Sequence, residues 1–384
     1  MINGNSTKNF SYVLINRILT TGINGLFWLI MAYLLIPNSY GELTYYVALA
    51  GIFSLVSKFG FGHSVIVFQA EKNSNFSTRI NFLVTVTTAG AALVLVPINQ
   101  FAALACIGFS FFSMNQSNLL GLKKYKNFMF NGLAKSILLL TIPFSLYFVL
   151  GLPGILLGMF IGDFLCSYSF FRNLRLPKQI FKGFKENHRV LIHNFAVELA
   201  MNLPKVADKL LIVPLFGFLL TGIYQFNLQI LFALEILPVA LHSYLLPEET
   251  SGKSPRKIIY LVVLGSILIT LASVFLAPMF VDQFFPKYTA GIFSLQILLV
   301  SLIPLTFSYI FSAKLQAMKS TLVGFSLIIR LGSLLTLVAL LGSLYGIVGL
   351  SLAVLISIIL YAAFLSILYK MEKGRTRTFS SSHM

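Results

Sequence analysis

The sequence has little charge and few of the residues that build soluble active sites. Only 10% of its 384 residues are Asp, Glu, Lys or Arg, against roughly 25% in a typical soluble protein. The two cysteines, Cys106 and Cys166, lie in apolar runs and indicate neither a disulfide framework nor a metal site. With 57% hydrophobic residues and a mean hydropathy of +0.88, the composition excludes a soluble globular protein and indicates an integral membrane protein.

Catalytic signatures are missing as well. The sequence contains no Walker GxxxxGK[ST] motif, no metal-spaced His/Cys cluster, no nucleophile elbow and no Rossmann GxGxxG. The loops between apolar runs are too short for a catalytic domain. We therefore predict that the protein is not an enzyme and needs no cofactor.

What the sequence does contain is a series of long apolar runs. Because these runs are longer than a barrel strand and their apolar residues do not alternate with polar ones, they exclude an outer-membrane barrel. We predict an all-α polytopic membrane protein of about twelve transmembrane helices, in two six-helix bundles around a central cavity. The predicted spans are 12–36, 43–69, 80–97, 99–121, 129–150, 153–171, 190–216, 221–246, 258–281, 290–313, 321–344 and 346–370.

The basic residues predict the orientation of these spans. If the N-terminus and every second loop face the cytoplasm, 21 of the 28 Lys and Arg residues lie on that side, six lie within spans, and only Lys287 faces outward. The positive-inside rule produces this asymmetry. We predict two cytoplasmic termini and a multi-pass protein of the plasma or inner membrane. The net charge of +17 then faces anionic lipid, and no nucleic-acid partner is needed.

The two halves share short sequence matches in the same order. VLIN (13–16) matches VLIH (190–193), Gly41 matches Gly222, and GLPGILLGMFI (151–161) aligns without a gap with GIVGLSLAVLI (346–356). An even number of spans per half makes the repeats parallel, with a cleft between them where transporters place their site. The predicted divisions are an N-terminal lobe (1–175), a basic cytoplasmic linker (176–189), a C-terminal lobe (190–370) and a cytoplasmic tail (371–384).

Several segments also resemble a known family. They are LLIPNSYGELTYYVALAGIFSLVSKFGFG, GLKKYKNF, the series ADKLLI, GIYQFN and LPEET, and YGIVGLSLAVLIS, which together span nearly the whole chain. They resemble the Wzx-type flippases of lipid-linked oligosaccharides, such as O-antigen units of lipopolysaccharide, within the multidrug/oligosaccharidyl-lipid/polysaccharide exporter (MOP) superfamily. The resemblance implies two six-helix lobes, alternating access, and a polyprenyl-diphosphate-linked glycan as substrate.

Ten ionisable residues fall within the predicted spans, six basic and four acidic. Each costs roughly 2.5–3.5 kcal/mol at a helix centre, so they must face one another or water. The net charge of these ten residues is +2, which suits a diphosphate that has to cross hydrocarbon. We predict a cationic substrate-binding cavity formed by Arg17, Lys58, Lys205, Lys209 and Arg330. The acids predicted to balance charge or couple ions are Asp163, Glu198, Asp208 and Glu235.

One predicted helix concentrates these charges. Asn194, Glu198, Asn202, Lys205 and Lys209 recur at steps of three or four residues, which places them in one stripe of a helix. Proline 204 interrupts the same helix and predicts a kink. We therefore expect this helix to line a hydrated cavity.

The individual residues admit alternatives. Arg17 and Lys135 are close to predicted span ends, where they could extend to the headgroups. Lys58 and Arg330 are deeper, where the alternative to a cavity is a buried ion pair. Asp208 can balance neighbouring lysines or carry a proton.

Glu235 and Asp163 have no basic residue at helical spacing in their own helices. They need a partner elsewhere, or they hold H⁺ or Na⁺.

Three functions remain in competition. The leading hypothesis is a monomeric lipid-linked oligosaccharide flippase, in contact with the bilayer and with a polysaccharide polymerase or glycosyltransferases. The alternative is an H⁺- or Na⁺-coupled multidrug exporter of the same superfamily, which would favour acidic residues in its cavity. A non-transporting scaffold would need another reason for the intramembrane charges.

Overall fold

The computed structural model of the protein describes residues 4–71, 74–172, 174–177, 179–203, 206–251, 255–318, 320 and 322–381. Every regular element in these ranges is helical, which confirms the predicted all-α class. Proline 204 and Lys205 lie outside the described residues. The α-helices are α1 (Gly4–Leu34), α2 (Pro37–Ser57), α3 (Phe61–Ala70), α4 (Ser74–Leu95), α5 (Gln100–Gly121), α6 (Tyr125–Leu150), α7 (Leu152–Cys166), α8 (Tyr168–Arg172), α9 (Phe184–Asn202), α10 (Ala207–Leu234), α11 (Ile236–Thr250), α12 (Arg256–Phe284), α13 (Ile292–Val300), α14 (Leu302–Ala317) and α15 (Leu322–Ser381).

Within the described residues, seven helical segments are long and apolar enough to cross a membrane, or eight if α2 and α3, bent by 47°, count as one span. The number is lower than twelve partly because α10 and α15 each run through a break, at Gly217 and Gly346. Helix α7 is apolar but has only 15 residues. A multi-pass membrane fold follows, while the twelve-span count and the cytoplasmic termini stay predictions.

The break inside α15 repeats a feature of the first half. Gly346 has φ 55° and ψ −130°, and Gly151, its partner in the sequence alignment, has φ 66° and ψ −144°. Only glycine adopts such angles without strain. Three residues on, a Cβ at Gly154 would lie 2.2 Å from the carbonyl oxygen eight positions earlier, and one at Gly349 would lie 1.8 Å from the equivalent oxygen. The aligned segments therefore share backbone geometry as well as sequence.

Contacts between residues divide the chain into two compact units. The first comprises Met1–Ile30 and Leu43–Ala207, and part of its core is an apolar cluster on α3, α4 and α5 that includes Phe61, Phe76 and Phe111. Helix α9 belongs to this unit, although we predicted that it opens the C-terminal lobe. The lobe boundaries inferred from the repeat stay predictions.

The second unit comprises Met31–Glu42 and Asp208–Met384. Within it, the start of α2 crosses α10 at the two glycines that the repeat aligns. A Cβ on Gly41 would lie 1.9 Å from the carbonyl oxygen of Phe218, and one on Gly222 would lie 1.8 Å from that of Pro37. Each glycine thus sits on the carbonyl four residues before the other, so the contact is symmetric and leaves no room for a side chain.

Candidate functional site: two clusters of intramembrane charge

The first cluster joins α2, α5 and α9 of the first unit. Lys58 follows α2 at its bend into α3, and its Nζ lies 3.1 Å from Oε1 of Glu198 on α9. The same Nζ donates a hydrogen bond to Ser113 Oγ at 2.9 Å. Lys58 is 7% exposed and Glu198 5%. The structure thus shows Lys58 in the buried ion pair that the sequence left as the alternative to a cavity.

Close backbone contact positions this pair. A Cβ at Gly60, which has φ 69°, would lie 2.3 Å from Phe195 Cα on α9. Nearby, Asn194 Nδ2 donates a hydrogen bond to Ser64 Oγ at 2.9 Å. The α2–α3 bend therefore brings α9 within reach, so that Lys58 and Glu198 meet although 140 positions separate them in the sequence.

A second ion pair in the same unit accounts for Asp163. Lys135 Nζ on α6 lies 3.7 Å from Asp163 Oδ1 on α7, and 5.7 Å from the centre of the Phe112 ring. Asp163 is buried, whereas the Lys135 side chain is 19% exposed. The partner that Asp163 lacked in its own helix lies on the neighbouring one.

The second cluster lies in the second unit, and Asp208 forms one end of it. Asp208 and Lys209 begin α10 as buried neighbours, with Lys209 Nζ 3.0 Å from Asp208 Oδ1. The backbone N–H of Lys209 donates to the same oxygen at 2.9 Å. Tyr224 donates its hydroxyl to Asp208 Oδ2 at 3.0 Å. Asp208 is thus ion-paired with one of the neighbouring lysines that the sequence offered as its partner.

Glu235 forms the other end of this cluster, at the turn between α10 and α11. Its Oε1 accepts a hydrogen bond from the Tyr309 hydroxyl on α14. The Tyr309 ring also packs edge-on against His242, with ring centres 5.7 Å apart. A tyrosine on another helix thus holds the carboxylate, which spacing within its own helix did not predict.

Arg330 lies on α15 of the same unit. Its guanidinium carbon is 5.3 Å from the centre of the Tyr361 ring, and it interacts electrostatically with the hydroxyl groups of Tyr224 and Tyr309. Within the described part of the chain, Arg330 forms no ion pair with a carboxylate, whereas Lys58, Lys135 and Lys209 each form one. We call Arg330 with Tyr224, Tyr309 and Tyr361 the Arg330 cluster.

Two predicted cations are not among the described members of these clusters. The Arg17 side chain is exposed on α1, and Lys205 lies outside the described residues. The continuous stripe predicted for residues 194–209 is wrong, since α9 ends at Asn202 and α10 begins only at Ala207. Proline 204, which has no backbone N–H to continue the helix, falls in that interval.

Sequence reasoning missed the tyrosines of the Arg330 cluster. A tyrosine in an apolar helix is common, so helical spacing alone does not mark it as functional. The available signal was that Tyr309 occurs in the same half of the chain as Glu235, an acid without an assigned partner. The described residues contain no group of three or more His, Cys, Asp or Glu side chains placed to hold a metal ion.

Solved structures with a similar fold are transporters. The lipid II flippase MurJ in its inward closed conformation gives a TM-score of 0.75 at 16% identity, over 95% of this chain and 87% of that one. An inward-facing multidrug-resistance MATE transporter of the MOP superfamily gives 0.68 at 13% identity, over 96% and 99%. The Vibrio cholerae MATE transporter VcmN in its bent form gives 0.56 at 15% identity, over 96% and 97%.

No protein-family model and no curated protein sequence matches the chain. At these identities the structural likeness establishes the fold alone, which the chain shares with these solved structures.

Proposed function

We propose that the protein is a flippase that moves a polyprenyl-diphosphate-linked oligosaccharide from the cytoplasmic to the outer leaflet by alternating access. The observation that carries the proposal is Arg330, a cation within a predicted span that forms no ion pair with a described carboxylate. A guanidinium binds phosphate oxygens in a bidentate fork. A diphosphate is the part of such a substrate that most needs a cation while it crosses hydrocarbon.

Lys58 and Lys209 would contact the diphosphate less readily than Arg330, because each already forms an ion pair. Lys58 and Lys209 are each about 3 Å from a carboxylate, so a phosphate could replace that carboxylate only if the pair opened. Arg330 requires no such step, so its guanidinium is the better first contact for the diphosphate. Arg17 and Lys205 remain predicted members of the cationic cavity.

Similarity of fold to a lipid II flippase supports a lipid-linked substrate. The short Wzx-like motifs support an oligosaccharide for cell-surface polysaccharide assembly, such as O-antigen, in the inner membrane. No cofactor is part of the proposal. The proposal includes two further points. Transport is coupled to H⁺ or Na⁺, with Glu235 or Asp163 as the carrier. The protein also contacts a polymerase or glycosyltransferases.

The second candidate function is an H⁺- or Na⁺-coupled exporter of cationic small molecules. The hydrogen-bonded carboxylate of Glu235 and the similarity to MATE transporters favour it. The two candidates differ in the residue that touches the cargo: Arg330 for an anionic lipid and Glu235 for a cation.

Reconstituted flipping tests the proposal. Purified full-length protein is placed in liposomes with a fluorescent polyprenyl-diphosphate-linked oligosaccharide in both leaflets, and a membrane-impermeant quencher reports how fast the inner pool becomes accessible. The proposal expects faster exposure than in empty liposomes and loss of that gain in Arg330→Gln. An equal rate for Arg330→Gln and the unmodified protein would rule out Arg330 as the diphosphate contact.

A further inference from the structure

The linker between α8 and α9 exposes large apolar side chains outside every predicted span. Leu176 is 84% exposed and Phe181 is 73% exposed. On a membrane-spanning helix such side chains contact lipid, but in a linker they form an exposed apolar patch, which usually marks an interaction site. We propose that this linker lies against the cytoplasmic leaflet and binds the headgroups of anionic phospholipids. The inference does not depend on which cargo the protein moves.

Cations flank the two apolar side chains. Residues 172–189 contain six Lys and Arg residues but only one acid, Glu186. The cations whose positions are described are all exposed: Arg172, Arg175, Lys182, Lys185 and Arg189. None of them forms an ion pair with a described carboxylate. Basic residues next to a membrane span are attracted to the anionic lipids of the cytoplasmic leaflet, so these uncompensated charges fit such a surface.

Contacts with α4 fix the orientation of the second half of the linker. Arg79 Nη1 donates a hydrogen bond to the carbonyl oxygen of Lys182 at 2.8 Å. Phe184 packs inward, with its ring centre 5.1 Å from that of Phe76 in the apolar cluster of the first unit. Because Phe184 takes the place in the cluster, the Phe181 ring is held on the outside. The exposed apolar side chain is therefore presented by an anchored backbone.

The length of the linker favours a membrane surface over a soluble protein partner. Only eighteen residues, 172–189, separate the predicted spans 153–171 and 190–216, so the linker stays close to the bilayer. Segments at a membrane surface place apolar side chains among the headgroups and basic side chains towards anionic lipid. A neutral lipid surface would accept Leu176 and Phe181 but would leave the cations uncompensated. Anionic phospholipid accounts for both features.

Tryptophan fluorescence of the full-length protein in liposomes tests the inference. Trp28 is the only tryptophan of the sequence, so Trp28→Phe/Phe181→Trp carries one reporter in the linker. The liposomes contain equal amounts of phosphatidylglycerol and phosphatidylcholine, and only one of the two lipids is brominated in its acyl chains. We expect both brominated lipids to quench the reporter, and brominated phosphatidylglycerol to quench it about twofold more strongly, because the cations enrich anionic lipid there. High salt should reduce this preference, since exposed charges are screened.

Charge variants of the reporter protein test whether the linker itself selects the lipid. Arg175→Gln/Lys182→Gln/Lys185→Gln should abolish the preference for phosphatidylglycerol and leave the two lipids as equal quenchers. The matched control removes three exposed cations from the second unit, as Arg256→Gln/Lys257→Gln/Lys370→Gln. This control should keep the preference of the reporter protein.

Three results would overturn the inference. A reporter that neither brominated lipid quenches, but that aqueous iodide does, would place the linker in water and favour a soluble protein partner. Equal quenching by the two lipids would show insertion without recognition of the headgroup charge. Equal loss of preference in the linker variant and its control would assign the effect to net charge. If the linker variant does not fold, the comparison of the two brominated lipids decides alone.

Discussion

The Lys58–Glu198 pair makes a quantitative stability prediction. At 3.1 Å, two unit charges attract by about 5 kcal/mol at an effective dielectric constant of about 20. Glu198→Gln removes one partner and leaves a buried ammonium with Ser113 as its remaining acceptor. Breaking a buried pair in this way costs about 3–5 kcal/mol, because the leftover charge is uncompensated.

Removing both charges should cost far less than removing one. The variant Lys58→Met/Glu198→Leu keeps similar volumes and buries no charge, and such replacements are neutral or stabilising by about 1–4 kcal/mol. Asp163→Asn is a comparison for the single change, since the Lys135 side chain is 19% exposed and can turn its ammonium towards water. We expect its effect to be clearly smaller than that of Glu198→Gln.

Thermal unfolding of the full-length protein in detergent measures these differences as shifts in apparent melting temperature. The expected order is a large drop for Glu198→Gln, recovery in the double variant, and a small change for Asp163→Asn. A double variant that loses as much as the sum of the Lys58→Met and Glu198→Leu single changes would refute the reasoning, because the two residues would then not be coupled.

Two further predictions concern packing. Gly222→Ala should destabilise the protein by about 3 kcal/mol or prevent folding, because its Cβ would lie 1.8 Å from the Pro37 carbonyl oxygen. Gly332→Ala is the control: a Cβ there has no atom within 4 Å, so this helix-interior replacement should stabilise the protein by about 0.5–1 kcal/mol. Equal melting temperatures of the two variants would contradict the helix crossing. Cys106 and Cys166 are buried, so a maleimide should label them slowly in the native protein and fast in denaturant; fast labelling of the native protein would show that these helices are not packed as described.

The sequence was sufficient for the fold class because a chain in hydrocarbon has to satisfy its backbone hydrogen bonds within each helix, and long apolar runs are the direct trace of such helices. The repeat could be recognised for a different reason. Gly151 and Gly346 both have a positive φ, which only glycine adopts easily, so both halves carry glycine at this position. Helix ends and breaks, in contrast, depend on packing, and the predicted ends lie several residues from those in the structure.

Partners of the buried charges could not be predicted from spacing. Helical periodicity compares residues of one helix, whereas Lys58 meets Glu198, Lys135 meets Asp163 and Tyr309 meets Glu235 across different helices. Among the ion pairs of the described residues, only Asp208–Lys209 is local, and charge balancing there was the interpretation that the sequence favoured. The contact of α9 with α3 was likewise not predicted, since packing between two helices leaves no periodic signal in the sequence.

The most direct test of the central claim compares cargo charge in one preparation. Proteoliposomes would be given, in parallel, a fluorescent polyprenyl-diphosphate glycan, the corresponding polyprenyl-monophosphate glycan and a cationic dye, with and without Arg330→Gln. The account predicts that the diphosphate is moved fastest and that Arg330→Gln abolishes this preference. Transport of the cationic dye alone, unaffected by Arg330→Gln and lost in Glu235→Gln, would contradict the flippase account and favour the exporter.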